Sequence, residues 1–232
     1  MNAPTPPRKS LLERLDHGPV ICAEGYVFEL ERRGYLQAGA FVPEVVLEHP
    51  EVVTQLHRDF VHAGSDVVEA LTYYAHREKL RVIGREQDLE PINRRALELA
   101  KAVAAETGAL FAGDICNTNI YDPADPASHK AVRAMFEEQV GWAVDAGVDF
   151  VVGETFSWAQ EALIALDVIK QGEADRRDHA ARCTRPTSRA RTGRVADACK
   201  RLADAGARRR RAQLHPRPGD DAAAAARDPR RE

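Results

Sequence analysis

The stretch from Glu106 to Tyr121, ETGALFAGDICNTNIY, contains the signals that decide the fold. Its Thr-Gly pair is typical of the end of a helix. The apolar run Ala109–Ile115 (ALFAGDI) then predicts a strand, and polar residues begin at Asp114. The same order of helix, glycine, strand and polar side chain is found on both sides of it. The stretch therefore predicts one unit of a repeated strand–helix fold.

Neighbouring segments extend the repeat in both directions. Further strands are predicted at Pro19–Gly25, Asp66–Tyr73 and Asp149–Gly153, and helices at His49–His62, Leu89–Ala104, Lys130–Ala146 and Trp158–Lys170. Four strand–helix units in a row indicate parallel strands joined by crossover helices.

Two architectures fit such a repeat, a doubly wound sheet and a (β/α)8 barrel. The first strand lacks the GxGxxG turn of dinucleotide-binding folds. Polar residues collect where the strands end, which is where parallel α/β folds place their sites: Glu24, Glu69, Thr72, Asp114 and Glu154. We favour an α/β fold of the TIM-barrel type, present here as an incomplete barrel of about four units.

The composition changes after Gln171, where the chain becomes rich in Arg, Ala, Pro and Asp. We predict a mobile N-terminal arm at residues 1–16, half of a barrel at 17–171 and an aberrant basic tail at 172–232. The tail should be disordered or irregular except for one helix at 195–207 (VADACKRLADAGA).

Charge and cysteine usage limit the class of protein. The net charge of −3 includes an arginine-rich tail, so the front part is acidic, which argues against nucleic acid as its partner. Four widely spaced cysteines without a CxxC motif indicate reduced thiols and a cytoplasmic protein. Apolar runs are too short for a membrane span, which needs about 18 residues or more.

Three segments together resemble the homocysteine S-methyltransferase family, and its betaine–homocysteine methyltransferase branch in particular. They are EGYVFELERRGYLQAGAFVPEVVLEHPEVVTQLHRDFVHAGSDVVEALTYYAHREKL (24–80), GDICNTNIY (113–121) and DFVVGETF (149–156). The resemblance covers Gly18 to Gln171 and implies a (β/α)8 barrel with a zinc cofactor. It also implies two partners, homocysteine and a small methyl donor such as betaine or S-methylmethionine. Zinc activates the homocysteine thiol for attack on the donor, giving methionine.

The resemblance assigns candidate substrate-binding residues by position. Glu154 matches the family's strand-four glutamate, which binds the homocysteine amino group. Glu24 and Gly25 fall on a G-D-G-G turn, with Ala23 at the aspartate position. The other candidates are Thr72 and Tyr74 near the donor pocket, and Asp114, Asn117 and Thr118 on the third loop.

The family's zinc ligands have no match in this chain. They are three cysteines, one in a G-x-N-C motif after the sixth strand and two in a G-G-C-C motif near the end of the barrel. None of Cys22, Cys116, Cys183 and Cys199 stands in such a motif, and His57 and His62 are five apart, so they do not share a helix face. We expect no metal ligands and no methyl transfer from the chain as it stands.

A shifted reading frame is our hypothesis for the tail. Codons for the residues from Ala207 onward can be chosen so that dropping one base reads RDVVGLNCTRGPATMLPLLREIR, which contains G-x-N-C. Compensating shifts near 172–194 would precede it. An incomplete barrel exposes strand edges, so we expect the chain to fold poorly alone.

Two other functions are compatible with parts of the sequence. The run Arg208–Arg211 suggests a non-catalytic protein whose basic tail contacts nucleic acid. The second is a different α/β enzyme that uses Asp114 and Glu154 as acid and base. The oligomeric state and the methyl donor stay open.

Overall fold

A computed structural model describes residues 9–23, 25–36, 41–174 and 182–183. Several predictions lie outside the described residues: the structure of residues 1–8, the position of Glu24, the helix at 195–207 and the arginine run at 208–211. Among the described helices none has the length and apolarity needed to cross a bilayer.

The described residues form eight α-helices, four strands and one short 3-10 helix. The helices are α1 (Leu11–Leu15), α2 (Tyr26–Arg32), α3 (Val45–Glu48), α4 (Pro50–His62), α5 (Arg77–Val82), α6 (Leu89–Thr107), α7 (Pro126–Ala146) and α8 (Ala159–Ala174). The strands are β1 (Val67–Glu69), β2 (Leu110–Cys116), β3 (Phe150–Glu154) and β4 (Arg182–Cys183), and the 3-10 helix is Glu86–Asp88.

The strands form one parallel sheet in the order β1-β2-β3-β4, so each described strand pairs with the next along the chain. Helices α4, α6, α7 and α8 pack against one another in the same order. A doubly wound sheet would reverse its strand order and divide its helices between two faces. The observed order is compatible with successive units of a barrel, and the fold is α/β with parallel strands.

The first predicted strand, 19–25, is reduced to a single parallel bridge between Cys22 and Val67. Its backbone donors are taken by side chains: the Ile21 N–H donates to Asp66 Oδ2 at 2.9 Å and the Ala23 N–H to Ser65 Oγ at 3.0 Å. Because these bonds replace a regular ladder, the segment lies beside β1 without forming a strand.

Strand β1 ends earlier than the prediction of 66–73. The Thr72 N–H donates to the carbonyl of Ala70 at 2.8 Å, which turns the chain, and Tyr74 has a φ of +56°. Strands β2 and β3 agree with the prediction to within one residue.

Two structured elements lie where the sequence predicts an arm and a tail. Helix α1 occupies part of the predicted mobile arm, because Ser10 and Glu13 form a capping box and Leu11 is buried. Strand β4, within the predicted tail, pairs with β3. Helix α8 continues to Ala174, three residues past Gln171.

The two faces of the sheet bury different groups. Phe111, Ile115 and Val151 pack against the helices. The alternate residues face the other way, and among them Val67 and Leu110 pack with Leu11 of α1. Arg14 of α1 donates to the carbonyl of Gly108 at 2.9 Å, so α1 covers the amino ends of the strands on this second face.

Candidate functional site

A cavity of about 380 Å³ opens at the carboxyl ends of β1, β2 and β3. It combines three carboxylates with an aromatic and aliphatic wall. The lining residues are Ala23, Gly25, Tyr26, Val27, Phe28, Phe41, Glu69, Ala70, Leu71, Tyr73, Asp114, Glu154 and Thr155.

Strand register brings the three carboxylates together. Glu69 pairs with Ala112, and Glu154 pairs with Cys116. Asp114 lies two residues from each of these partners, and alternate residues of a strand point to the same face. One carboxylate oxygen from each of Glu69, Asp114 and Glu154 lies within 4.8 Å of the other two. We call these three residues the carboxylate triad.

Two members of the triad are poorly solvated, and the third, Glu154, is half-buried. Asp114 is 4% exposed and Glu69 is 7% exposed. Burial raises the pKa of Asp114 well above its usual value of 3.8, and the neighbouring charges of Glu154 and then Glu69 raise it further. Asp114 Oδ1 has no hydrogen-bond partner among the described residues. The cavity therefore favours a cationic ligand or a proton at this point.

The other wall of the cavity is aromatic. Tyr26 and Phe28 come from α2, Tyr73 from the turn after β1, and Phe41 precedes α3 with a φ of +54°. Gly25 begins α2 at a φ of +88°, a conformation that L side chains rarely adopt. Aromatic faces beside buried carboxylates suit a ligand that carries an alkylated cation.

Thr72 and Tyr74, both predicted from the resemblance, support the rim of the site without lining the cavity. Thr72 is buried, and its hydroxyl donates to the carbonyl of Asp114 at 2.7 Å. The Tyr74 N–H donates to Cys116 Sγ at 3.2 Å, and Lys79 Nζ lies 3.9 Å from the centre of the Tyr74 ring. These contacts hold the end of β2 in place, and substrate contact by either residue stays a prediction.

Asn117 and Thr118 link the loops that follow β2 and β3. Asn117 Nδ2 donates to both the carbonyl and the hydroxyl of Thr155 at 3.1 Å. The Thr118 N–H and hydroxyl donate to Glu161 Oε1 at 2.8 and 2.7 Å. Both side chains are buried and bonded to neighbouring protein groups: Asn117 positions Thr155 at the edge of the cavity, and Thr118 ties the loop after β2 to α8.

The described residues do not fit a thiolate zinc site. Cys22 Sγ donates to Glu69 Oε2 at 2.9 Å, and burial raises the pKa of Cys116 well above the usual thiol value. Raising a thiol pKa disfavours the thiolate that binds zinc. Within the part of the chain that the structure describes, the group with metal-ligand spacing is the carboxylate triad, which contains no sulfur.

Glu69 is among the polar residues at the predicted strand ends but not among the predicted substrate-binding residues, and Thr155 and the aromatic wall are in neither set. Glu69 carried a usable signal, since it stands at a strand end like Asp114 and shares the face of Val67 by period two. Phe28 and Phe41 carried none, because their place depends on how α2 and the segment before α3 pack. Of the predicted set, Gly25, Asp114 and Glu154 line the cavity.

Comparison with known sequences places this geometry in a family. The sequence model described as Homocysteine S-methyltransferase matches residues 21–209, which extends past Gln171. Betaine–homocysteine S-methyltransferase 1 of Xenopus tropicalis is 39% identical over 174 residues, covering 73% of this chain and 43% of that protein. S-methylmethionine–homocysteine S-methyltransferase BHMT2 of Pongo abelii is 36% identical over 170 residues, covering 72% and 44%.

Solved structures give the same fold. The metallated form of the homocysteine methyltransferase MmuM from Escherichia coli superposes with a TM-score of 0.57 at 22% identity, covering 72% of this chain and 63% of that one. Its oxidized form gives a TM-score of 0.54 at 23% identity. The chain spans less than half the length of the two curated relatives named above. The sequence match and the strand order agree, and the chain belongs to the homocysteine S-methyltransferase family.

Proposed function

We propose that this chain carries the homocysteine-binding half of an S-methyltransferase that transfers a methyl group from a small cationic donor to homocysteine. The observation that supports this most is the position of Glu154, at the end of β3 inside the cavity. A carboxylate there pairs with the ammonium group of an amino acid. The charge-assisted hydrogen bonds of such a pair are the strong ones in proteins.

The aromatic wall supports a donor with an alkylated cation. Betaine carries a quaternary ammonium group and S-methylmethionine a sulfonium group, and both are attracted to aromatic faces. In the reaction the homocysteine thiol loses its proton to solvent, and a sulfur lone pair forms a bond to the methyl carbon. The bond from that carbon to the donor nitrogen or sulfur breaks, and its electron pair stays on the donor. The residues of this chain bind and orient the two substrates.

Sulfur activation is the part of the chemistry that the described residues do not supply. In the family, zinc lowers the pKa of the homocysteine thiol when it is bound. Its three-cysteine ligand set has no counterpart among the described residues, so we assign no step of the reaction to it here. We expect the chain as it stands to bind homocysteine without producing methionine. We expect a cytoplasmic location, where thiols such as Cys22 and Cys116 stay reduced.

Homocysteine binding to the full chain tests the proposal. Titration calorimetry should show saturable binding, and Glu154→Gln should weaken it by about tenfold or more, because a charged pair is lost. Glu98→Gln is the matched control, since Glu98 is 68% exposed on α6 and paired with Arg95. Equal affinity of the wild-type chain and Glu154→Gln would remove Glu154 from the site.

A further inference from the structure

We propose that the carboxylate triad of Glu69, Asp114 and Glu154 is a binding site for one hard divalent cation of the Mg²⁺, Mn²⁺ or Ca²⁺ class. Its ligands would be carboxylate oxygens, whereas the zinc site that the family implies uses cysteine thiolates. It goes beyond the proposed methyl transfer and does not depend on it.

The spacing of the triad suits a single ion. Octahedral coordination at about 2.1–2.4 Å places ligand oxygens roughly 3.0 Å apart in neighbouring positions and up to about 4.8 Å apart in opposite ones. The three oxygens of the triad all lie within 4.8 Å of one another. Each of the three neighbouring strands β1, β2 and β3 provides one ligand. The hydrogen-bonded register of the sheet therefore sets the distances between the ligands, and no loop residue is needed.

Asp114 provides the second observation. Its side chain is 96% buried, since 4% is exposed, and it lines the cavity. Its Oδ1 has no hydrogen-bond partner among the described residues, although buried polar atoms are nearly always paired. An ion at the centre of the triad would satisfy this oxygen and offset the repulsion from Glu154 and Glu69.

Neighbouring groups orient the triad and leave room for an ion's remaining ligands. Cys22 Sγ donates to Glu69 Oε2 at 2.9 Å, which holds one ligand from outside as supporting groups do in metal sites. The cavity of about 380 Å³ in front of the triad has space for water molecules or a substrate oxygen. With a divalent ion bound, the three carboxylates keep one net negative charge, which matches a single ammonium group.

The donor set predicts which metals bind. Carboxylate oxygens are the ligands that Mg²⁺, Ca²⁺ and Mn²⁺ prefer, whereas zinc in structural and thiol-activating sites takes sulfur and nitrogen. Mn²⁺ is the most useful probe, because its electron paramagnetic resonance signal reports the free ion directly.

The test is a Mn²⁺ titration of the untagged full chain, with circular dichroism and thermal unfolding measured in parallel. We expect one Mn²⁺ per chain and a rise in the midpoint of unfolding. Where the metal-free chain is unfolded, we expect a gain of helical signal with Mn²⁺. Absence of both saturable binding and any gain in structure or stability would overturn the proposal.

The Mn²⁺ affinity of variants tests whether the ion binds at the triad or at other carboxylates. Asp114→Asn and Glu69→Gln should each weaken Mn²⁺ binding by about tenfold or more, because each removes an anionic ligand. Glu98→Gln on α6 should stay within about twofold of the wild-type chain. Wild-type affinity in both triad variants would refute the site.

Two other outcomes would assign the triad a different role. Stabilisation by methylammonium without any effect of Mn²⁺ would mean that the triad takes an organic cation. Binding of Zn²⁺ alone, abolished by alkylating the thiols, would mean that cysteines hold the metal. Either result overturns the oxygen-donor site while leaving homocysteine binding to be judged by Glu154→Gln.

Discussion

Asp114 lies in surroundings that make ionisation of its carboxyl group costly. Its raised pKa means that the folded chain holds a proton which the unfolded chain releases near pH 3.8. The contribution of Asp114 to the free energy of unfolding is therefore fully present below about pH 3.8. It falls as the pH rises towards the raised pKa of the folded chain.

Replacing this residue should reverse that loss. We expect Asp114→Asn to unfold at a higher urea concentration than the metal-free wild-type chain at pH 7. One unit of pKa difference between folded and unfolded states is worth about 1.4 kcal/mol. The advantage should disappear below about pH 4, and a difference that is the same at pH 4 and pH 7 would contradict it.

His57 gives a second prediction, with the opposite dependence on pH. It is fully buried on α4 against the ring of Tyr26 at 5.1 Å, and neither ring nitrogen has a hydrogen-bond partner within the described residues. Burial lowers its pKa from 6.5 to about 3. The unfolded state therefore gains a proton below pH 6.5 that the folded state refuses, and stability falls as the pH is lowered from 6.5 towards 3.

His57→Phe keeps an aromatic ring in the same place and removes this titration. Relative to the wild-type chain it should gain about 1.4 kcal/mol in the free energy of unfolding for each pH unit below 6.5. Urea unfolding at pH 8.0 and pH 5.5 measures the change. A gain that does not grow between these two values would show that His57 is protonated or solvated in the folded chain.

The residues of the site divide by how far sequence could predict them. Asp114 and Glu154 follow apolar runs, and the carboxyl ends of parallel strands meet at one edge, so their convergence was predictable. Thr118 is a candidate for substrate contact, and its hydroxyl donates to Glu161 of α8, which lies 43 residues away along the chain. Sequence spacing gives no signal for such a tertiary contact.

At the scale of elements, the close approach of α7 to β2 depends on a glycine. A Cβ on Gly113 would lie 3.0 Å from the Cβ of Ala143, which is too short for an ordinary contact. We expect Gly113→Ala to force α7 away from the sheet and to cost about 1–3 kcal/mol in the free energy of unfolding.

Gly141 on the same helix is the matched control. A Cβ there meets no described atom within 4 Å, and the residue is in the interior of α7. Gly141→Ala should therefore stabilise the chain by about 0.5–1 kcal/mol through helix propensity. Urea unfolding of both variants decides the matter, since equal effects would mean that Gly113 is not limiting the distance between α7 and β2.

Helix boundaries were predictable in part from the apolar spacing and from the glycines that follow the helices. The start of α6 at Leu89 and the end of α7 at Ala146 agree with the prediction. Helix α7 begins at Pro126, four residues before the predicted Lys130, because Asp125 acts as its N-cap and Pro126 suits its first position. The β-branched run at 19–25 predicts the first strand. In the structure the N–H groups of Ile21 and Ala23 donate to the side chains of Asp66 and Ser65 instead of to a strand ladder.

At the scale of the whole molecule, the reading frame of the gene is the open question. The family match continues to residue 209, across the predicted helix at 195–207, which supports the hypothesis that this segment belongs to the family in its own frame. We predict that resequencing around Gly172 and Ala207 yields a frame encoding G-x-N-C after that helix. An unbroken frame that encodes the present tail would contradict the frameshift hypothesis.

A frame-corrected protein should differ from this chain in two measurable ways. It should bind zinc through thiolates and form methionine from homocysteine, whereas the chain as it stands should form none. Methionine production by the present chain at an enzymatic rate would mean that sulfur is activated without the three cysteines.

The position of α1 has a practical consequence. Because this short helix closes the amino end of the sheet, and the acidic cavity opens at the carboxyl end, the two termini of the strands face different surroundings. A linker joined just before Ser10 would anchor the molecule to a sensor surface with its cavity turned towards the bulk liquid. Analytes could then reach the pocket without passing the support.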